Sequence, residues 1–113
     1  MSQLDPFRPV GNSQTLLLTT AAQTITLSTL GGYFTSVRII VNMTSSNWAY
    51  VAFGSSSVTA VVGTSTAAFL GMPIYAADTN PHIFAVSGIN NYISVAGSSA
   101  GQIYVTPGVG GYV

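Results

Sequence analysis

Apolar and polar residues alternate along short segments of this chain, and no segment keeps the 3.6-residue period of an amphipathic helix. The longest alternating segment is Tyr33–Asn42. Val37, Ile39 and Val41 lie on one face of it, and Arg38 lies on the other. β-Branched and aromatic residues are frequent in such segments, and clusters of glycine, serine and asparagine separate them. The pattern therefore predicts short β-strands joined by turns.

About eight segments have the length and composition of strands. They are Thr15–Thr20, Thr24–Ser28, Tyr33–Asn42, Trp48–Phe53, Val58–Val62, His82–Ser87, Tyr92–Ala96 and Gln102–Thr106. Turns that recur roughly every 8–12 residues are typical of a sandwich or a barrel. The alternation fits antiparallel sheets with one solvated face. We therefore expect an all-β protein, an antiparallel β-sandwich with jelly-roll or immunoglobulin-like topology, and the pattern leaves both topologies open.

Prolines indicate where this regular pattern is interrupted. Pro6 and Pro9 hold the start of the chain in extended geometry, so we expect an N-terminal arm over residues 1–13 and the sandwich over residues 14–113. In the irregular stretch before His82, Gly71-Met72-Pro73 predicts an edge strand or an irregular crossing, because proline cannot donate to a central ladder. For the same reason we expect Pro107-Gly108 to end the last strand.

Ionisable side chains are scarce. The 113 residues contain two Lys or Arg, two Asp or Glu and one His, so 4% are charged, against about 25% in an average globular domain. A content of 48% hydrophobic residues with zero net charge is the reverse of a disordered composition. A nearly neutral surface has little repulsion to keep copies apart. We therefore expect a folded domain that associates with other copies or with neighbouring subunits.

The same composition argues against several classes of function. Two arginines cannot form the basic patch that nucleic acid requires, and no apolar run approaches the roughly 20 residues of a membrane-spanning helix. The first residues lack a basic start and an apolar core, so we expect no signal peptide. With no cysteine and a single histidine, the chain lacks the ligands of a closed metal site. We expect no nucleic-acid or membrane partner, metal or cofactor.

Two groups of residues could support chemistry. Asp78 could orient His82 as a general base, but the sequence Asp78-Thr79-Asn80-Pro81 favours a simple turn. Trp48 and Tyr50 share a strand face and could stack on a sugar, but packing is the favoured interpretation because only Asn47 supplies an amide nearby. We therefore expect no catalytic site.

Four residues are candidates for a partner interface. Phe7 and Arg8 stand between prolines outside any predicted strand, and Pro9 lowers the entropic cost of docking this arm on a neighbour. The alternative is an arm folded back on its own sandwich. Arg38 lies in the middle of a strand, as either an interface anchor or a solvated residue on the outer face.

Four motifs resemble those of small virion proteins of tailed bacteriophages. They are Pro-Phe-Arg-Pro at Pro6–Pro9, Trp-x-Tyr-Val-x-Phe-Gly at Trp48–Gly54, Pro-His-x-Phe at Pro81–Phe84 and Ile-Tyr-Val-Thr-Pro-Gly-x-Gly at Ile103–Gly110. Within that group the chain is most similar to capsid decoration, or cement, proteins. The resemblance implies a compact β-sandwich that forms a homo-oligomer, either a dimer or a trimer, binds the major capsid protein at subunit junctions and stabilises the head.

The resemblance also implies a location on the outer surface of the phage head, after synthesis in the host cytoplasm. It transfers no functional residues, because its motifs are structural. Three alternatives stay open: a tail or fibre component of the virion, a carbohydrate- or receptor-binding module that uses Trp48, Tyr50 and Tyr92, and a self-assembling β-fibre. All four readings are non-enzymatic.

Overall fold

A computed structural model of the chain describes residues 7–30, 34–63, 71–78, 82–86 and 92–110. The described residues form nine β-strands and one 3-10 helix. These are β1 (Arg8–Pro9), β2 (Gln14–Leu18), β3 (Gln23–Thr26), the 3-10 helix (Leu27–Leu30), β4 (Ser36–Asn42), β5 (Trp48–Gly54), β6 (Met72–Tyr75), β7 (His82–Ala85), β8 (Tyr92–Gly97) and β9 (Gly101–Val109). No helix in this part of the chain is long and apolar enough to cross a membrane.

The strands form two antiparallel sheets that pack face to face. Sheet A has the order β1-β9-β4-β7, and β2 also pairs with β9. Sheet B has the order β3-β8-β5-β6. The predicted all-β antiparallel sandwich is therefore confirmed.

The pairing pattern distinguishes the two topologies that the sequence left open. Strand β2 pairs with β9, β3 with β8, β4 with β7 and β5 with β6, so the pairs are nested like one long hairpin folded over itself. An immunoglobulin-like sandwich would instead keep several consecutive strands as neighbours in one sheet. Here only β5 and β6 are consecutive neighbours. The architecture is a double-sheet jelly roll.

The hydrophobic core lies between the two sheets. Its buried residues come from both sheets and from the 3-10 helix: Leu16, Leu18, Leu27, Leu30, Val37, Ile39, Ala49, Val51, Ile74, Ile93, Val95, Ile103 and Val105. Phe53 and Phe84 pack against this cluster, with their ring centroids 5.4 Å apart. The predicted inward positions Val37 and Ile39 of β4 are fully buried, which confirms the period-2 alternation there.

The outer face of sheet B is covered in part by the chain itself. Ala52, Ala60 and Ala96 form a small buried cluster, against which Val58 and Val62 pack. Because the side chains of Ala52 and Ala96 are small, the segment that contains Val58, Ala60 and Val62 can pack closely on sheet B. The segment Val58–Val62, predicted as a strand, is not one, because it lies across the sheet and joins no ladder.

Ser94 fixes this covering segment to the sheet. Its buried Oγ accepts a hydrogen bond from the Ala60 amide at 2.8 Å and another from the Thr24 hydroxyl at 3.0 Å. We expect Ser94→Ala to lower the free energy of unfolding by about 1–3 kcal/mol, because the Ala60 amide would stay buried without an acceptor. Urea denaturation checks this, with Ser99→Ala as the control, since the one side-chain hydrogen bond that Ser99 Oγ makes within the described part of the chain goes to the adjacent carbonyl of Ala100, at 3.4 Å. Equal losses from the two variants would contradict it.

Pro73 lies in an edge strand, which is one of the two alternatives that the sequence left open. Strand β6 ends the order of sheet B, and Pro73 pairs with Tyr50. The Ala76 amide donates to the Asn47 carbonyl at 3.0 Å, so the backbone N–H and C=O groups of every second residue of β6 point toward β5. Counted back from Ala76, the backbone groups of Pro73 point away from β5. The missing N–H of Pro73 therefore falls on the free edge, where it costs no ladder bond.

Pro107 contradicts the prediction that it ends the last strand. Strand β9 continues through Pro107 to Val109 in the middle of sheet A. The Pro107 carbonyl accepts from the Val10 amide at 2.8 Å, so its nitrogen also faces the side of β1 and β2. On that side of β9 the strand pairing is interrupted at Pro107, because β2 pairs with β9 only up to Val105 and β1 pairs with β9 from Gly108 onward. The proline therefore occupies a position where no donor is needed.

The described part of the N-terminal arm folds back on its own sandwich. Arg8 pairs with Val109 and Pro9 with Gly108, which makes β1 a short strand of sheet A. The Asn12 amide continues the attachment by donating to Leu30 at 3.0 Å. For residues 7–13 this corresponds to the folded-back alternative, whereas residues 1–6 lie outside the described part.

Candidate functional site

The outer face of sheet A is built by the strand positions that alternate with the core. Because Ile103 and Val105 of β9 point inward, Tyr104 and Thr106 point outward. On the paired strand β4, Ile40 lies beside Tyr104 and Arg38 lies beside Thr106. The sheet A outer face is defined here by Thr15, Leu17, Arg38, Ile40, Asn42, Ile83, Gln102, Tyr104 and Thr106.

Large apolar side chains are exposed on this face. Leu17 is 62% exposed and Ile40 is 45% exposed. Between them lies a neutral polar group, in which the Tyr104 hydroxyl donates to Gln102 at 3.0 Å and the Asn42 amide contacts both side chains at 3.3–3.4 Å. These amides and the hydroxyl satisfy one another without any charge. The face therefore combines apolar contact area with internally paired polar groups.

One end of this face contains a groove of about 330 Å³, which we call the Arg38 groove. Its lining comes from four strands that are remote in sequence and from the residue before β1: Phe7, Pro9, Arg38, Ile40, Ile83 and Thr106. Four of the six are apolar side chains from Phe, Pro or Ile, and Arg38 supplies the charge. Such a groove suits an apolar or aromatic group of a binding partner, provided that the group also carries a hydrogen-bond acceptor.

The ring of Phe7 forms one wall of the groove by lying over Gly108. A Cβ added at Gly108 would overlap the Phe7 ring and would lie 2.6 Å from the carbonyl oxygen of Arg8. The glycine therefore allows β1 and the aromatic ring to approach the sheet closely. Ser36, which pairs with Gly108, is fully buried, and its hydroxyl contacts the carbonyl oxygens of Gly108 at 3.2 Å and Gly110 at 2.9 Å.

The guanidinium of Arg38 is incompletely bonded. Its Nε atom is buried and has no hydrogen-bond partner among the described residues. Leaving a buried donor unpaired costs about 1–3 kcal/mol, and more for a charged group. The planar fork of arginine matches a carboxylate, so a carboxylate that enters the groove would satisfy this donor.

Of the four residues predicted from the sequence, the structure brings three together. Phe7, Pro9 and Arg38 all line the Arg38 groove. Arg8 alternates with them along β1 and does not line it, so its exposed side chain lies elsewhere. No sequence pattern indicated that the arm and the middle of β4 meet, because they are brought together by the pairing of β1 and β4 with β9. Ile40, Ile83 and Thr106 were missed as site residues because their strand neighbours were unknown.

The Asp78–His82 pair has a geometry that does not favour general-base catalysis. The Asp78 Oδ2 atom lies 3.5 Å from His82 Nε2, which is within ion-pair range. His82 Nε2 is nevertheless buried without a hydrogen-bond partner in the described part of the chain. A general base has to reach the proton that it abstracts. The Asp78 amide donates to the Tyr75 carbonyl at 3.0 Å, which closes a turn over residues 75–78. The turn predicted from Asp78 to Pro81 extends over residues 79–81, which lie outside the described residues.

The aromatic residues considered for sugar stacking are separated. Trp48 is 40% exposed and packs against Tyr75, with ring centroids 4.9 Å apart and planes tilted by 42°. Tyr50 is buried. Tyr92 pairs with Gly54 at the other end of β5, roughly 20 Å from Trp48 at about 3.3 Å per residue. These residues therefore form no common platform.

Asn47, the amide next to Trp48 in the sequence, makes its hydrogen bonds within the fold. Its Nδ2 donates to Thr44 at 3.1 Å and its Oδ1 accepts from Ser98 at 3.2 Å. Among residues 7–30, 34–63, 71–78, 82–86 and 92–110, no group of three His, Cys, Asp or Glu side chains could hold a metal ion. The sheet A outer face is therefore the best candidate for a functional surface.

Comparisons with known proteins identify no relative. No protein-family model matches the sequence, and neither the curated proteins nor the solved structures searched contain a match.

Proposed function

We propose that this protein is a non-enzymatic structural component of a virion, which decorates a phage capsid and stabilises it by binding at subunit junctions as a homo-oligomer. The observation that carries the proposal is the exposed apolar surface of the sheet A outer face, from which Leu17 and Ile40 project. Trp48, Val61 and Tyr75 are also exposed on sheet B, which the chain covers in part with its own segment. Exposed apolar groups on one face of a folded domain are typical of a surface that contacts another protein.

The scarcity of charge supports adhesion of this kind. With 4% charged residues, little of the binding energy depends on charges that salt could screen. A symmetric oligomer that contacts several shell subunits raises the effective concentration of each further contact, so weak individual interfaces hold firmly. In this proposal the partner is the major capsid protein and the location is the outer surface of the head.

The test is fractionation of virions of the phage that encodes this chain. Heads and tails are separated on a density gradient, and the copy number of the chain is measured by quantitative mass spectrometry. Decoration requires the chain in the head fraction, in numbers comparable to the shell subunits. Recovery with tails, in a few copies per particle, would contradict decoration and would support the second candidate, a tail or fibre component.

Leu17 provides a specific test of the proposed contact face. We expect Leu17→Gln to weaken binding to purified heads about tenfold, because burying a leucine contributes about 1.5–3 kcal/mol and a factor of ten corresponds to about 1.4 kcal/mol. Stability should change by less than about 0.5 kcal/mol, since the side chain is 62% exposed. Cosedimentation of protein with heads measures the affinity.

The matched control for this experiment is Val61→Gln. Val61 is 47% exposed, but it belongs to the segment that crosses sheet B. We expect this variant to bind heads like the wild type. Equal weakening by the two substitutions would show that general surface hydrophobicity, and not the sheet A outer face, determines attachment.

A further inference from the structure

The Arg38 groove contains a charged donor for which the described part of the chain supplies no acceptor. Its second polar residue, Thr106, has its hydroxyl 2.8 Å from Ser13 Oγ, so these two hydroxyls satisfy each other. The buried Nε of Arg38 has no partner among the described residues. The rest of the lining is apolar. An acceptor for the guanidinium therefore has to come with whatever fills the groove.

The guanidinium can be reached from the groove. Nε is the one nitrogen of Arg38 that is both buried and unpaired in the described part of the chain, so the two terminal nitrogens remain accessible where Arg38 lines the groove. A carboxylate matches this planar fork, because the two groups form parallel, charge-assisted hydrogen bonds. Apolar walls shield such a pair from water, so salt screens it less than a pair on the open surface.

The size and the walls of the groove favour an amino-acid side chain over a free anion. The volume of about 330 Å³ lies at the low end of the roughly 300–1,000 Å³ of small-molecule pockets. Ile40 lines the groove and is also 45% exposed, so the groove opens directly onto the sheet A outer face. A carboxylate next to an apolar side chain uses both the charge and the walls, whereas an inorganic anion uses only the charge.

The described carboxylate of the chain itself does not lie on this face. Asp78 contacts His82 at 3.5 Å, and His82 pairs with the inward-facing Ile39, so both belong to the opposite side of sheet A. Asp5 lies outside the described residues, and the cross-linking experiment distinguishes it. The chain contains no glutamate. Charge complementarity therefore favours a carboxylate supplied by a partner.

We propose that the Arg38 groove binds an acidic side chain of the shell subunit, an aspartate or a glutamate that has an apolar residue next to it in an exposed segment. The carboxylate forms paired hydrogen bonds with the guanidinium of Arg38, and the apolar neighbour packs against Phe7 and Ile83. This inference rests on the proposed function, since it assigns the contact through which the protein is proposed to hold the shell.

Binding to purified heads that lack this protein tests the role of Arg38. We expect Arg38→Gln to weaken binding about 10- to 100-fold, because charge-assisted hydrogen bonds are lost. Arg38→Lys should lose less, since it keeps the charge and loses only the planar fork. Arg8→Gln is the matched control, because it removes the same charge outside the groove, and it should bind like the wild type.

Circular dichroism confirms that each variant folds, and cosedimentation with heads measures the affinities. Binding of Arg38→Gln with wild-type affinity would overturn the proposal. Equal weakening by Arg38→Gln and Arg8→Gln would also overturn it, because positive charge anywhere on the protein would then explain the effect.

A zero-length cross-link identifies the carboxylate. The chain contains no lysine, so Arg38→Lys places the one side-chain amine of the protein in the groove. A carbodiimide then couples this amine to a carboxylate in direct contact, and mass spectrometry of the head-bound variant identifies both residues. We expect a link to an aspartate or glutamate of the shell subunit with an apolar neighbour. Arg8→Lys, whose amine lies outside the groove, should give no such link.

Two cross-linking results would overturn the shell as the partner. A link to Asp5 or Asp78 would assign the groove to the chain itself or to a second copy. A variant that binds heads and yet gives no link would show that no carboxylate enters the groove.

The isolated protein tests the chemistry of the groove without any substitution in it. Only two arginines are present, so a ¹⁵N-labelled sample gives two Nε–Hε resonances, which the Arg8→Gln variant assigns. Phenylacetate, an aromatic ring with a carboxylate, should shift the Arg38 resonance in a saturable way and leave the Arg8 resonance unchanged. Phenylacetamide carries the same ring without the charge and should cause a much smaller shift. An unchanged Arg38 resonance, or equal shifts from the two compounds, would overturn the proposal.

The results separate this inference from the proposed function. A protein that fractionates with heads, but whose Arg38→Gln variant binds them like the wild type, would refute the groove contact and leave decoration intact. Saturable binding of phenylacetate at Arg38, in a protein recovered with tails, would refute decoration and leave the preference of the groove for a carboxylate intact.

Discussion

Replacing Ile39 by alanine is expected to lower the free energy of unfolding by about 2–5 kcal/mol, the usual cost of removing most of a buried isoleucine side chain. Ile39 is 1% exposed and lies in β4, which pairs with β9 on one side and β7 on the other. The cavity would therefore open where sheet A is held on both edges and can collapse least. Against a total stability of about 5–15 kcal/mol, this is a large fraction.

The neighbouring residue provides the control. Ile40 has the same side chain in the same strand, but it points to the sheet A outer face and is 45% exposed. We expect Ile40→Ala to cost less than about 1 kcal/mol, because little apolar surface is lost from the core. Chemical denaturation, monitored by tryptophan fluorescence, measures the free energy of unfolding of both variants. Equal losses for the two variants would contradict the inward and outward assignment on which the groove depends.

Gly108→Ala is expected to detach β1 from sheet A. The new Cβ would overlap the Phe7 ring and approach the Arg8 carbonyl oxygen to 2.6 Å, and the backbone contact cannot be relieved by a side-chain rotation. We expect a loss of about 1–3 kcal/mol, typical of overpacking, together with loss of the Phe7 and Pro9 walls of the groove.

Hydrogen exchange measures this effect at one amide. The Val10 amide donates to Pro107 at 2.8 Å, so its protection reports the attachment of the arm. In Gly108→Ala we expect this amide to exchange much faster, while amides of β5 and β8 keep their protection. Gly54→Ala is the control, because its new Cβ would meet only Val58 side-chain atoms, at 3.2 Å or more, and those can shift. Unchanged protection of Val10 would show that Gly108 is not required for the close approach of β1.

Much of the secondary structure was predictable because strand alternation is local. Seven of the eight predicted segments overlap an observed strand, and Val58–Val62 is the exception. That segment has strand composition but packs over Ala52 and Ala96, and the composition of a strand does not reveal whether a neighbour is free to pair. Pro73 could be assigned to an edge, because a missing donor is a property of the residue itself.

Pro107 shows where this local reasoning stops. The same missing donor predicted the end of a strand, yet β9 passes through Pro107. The outcome depends on whether a partner needs the N–H, and here the break between β1 and β2 removes that need. The rule that proline avoids central strands, because it lacks a backbone donor, therefore holds at Pro73 and fails at Pro107. The difference lies in which strands are paired beside each proline.

The sequence by itself determined the class of fold, because period-2 alternation requires sheets with one buried face. The small number of ionisable side chains, also read from the sequence, is the basis on which we propose adhesion through shape and neutral contacts. Only the tertiary structure decided the jelly-roll order, the covering of sheet B and the meeting of Phe7, Pro9 and Arg38 in one groove. The physical reason is that alternation fixes which face of a strand is buried, whereas strand partners depend on packing between segments far apart in the chain.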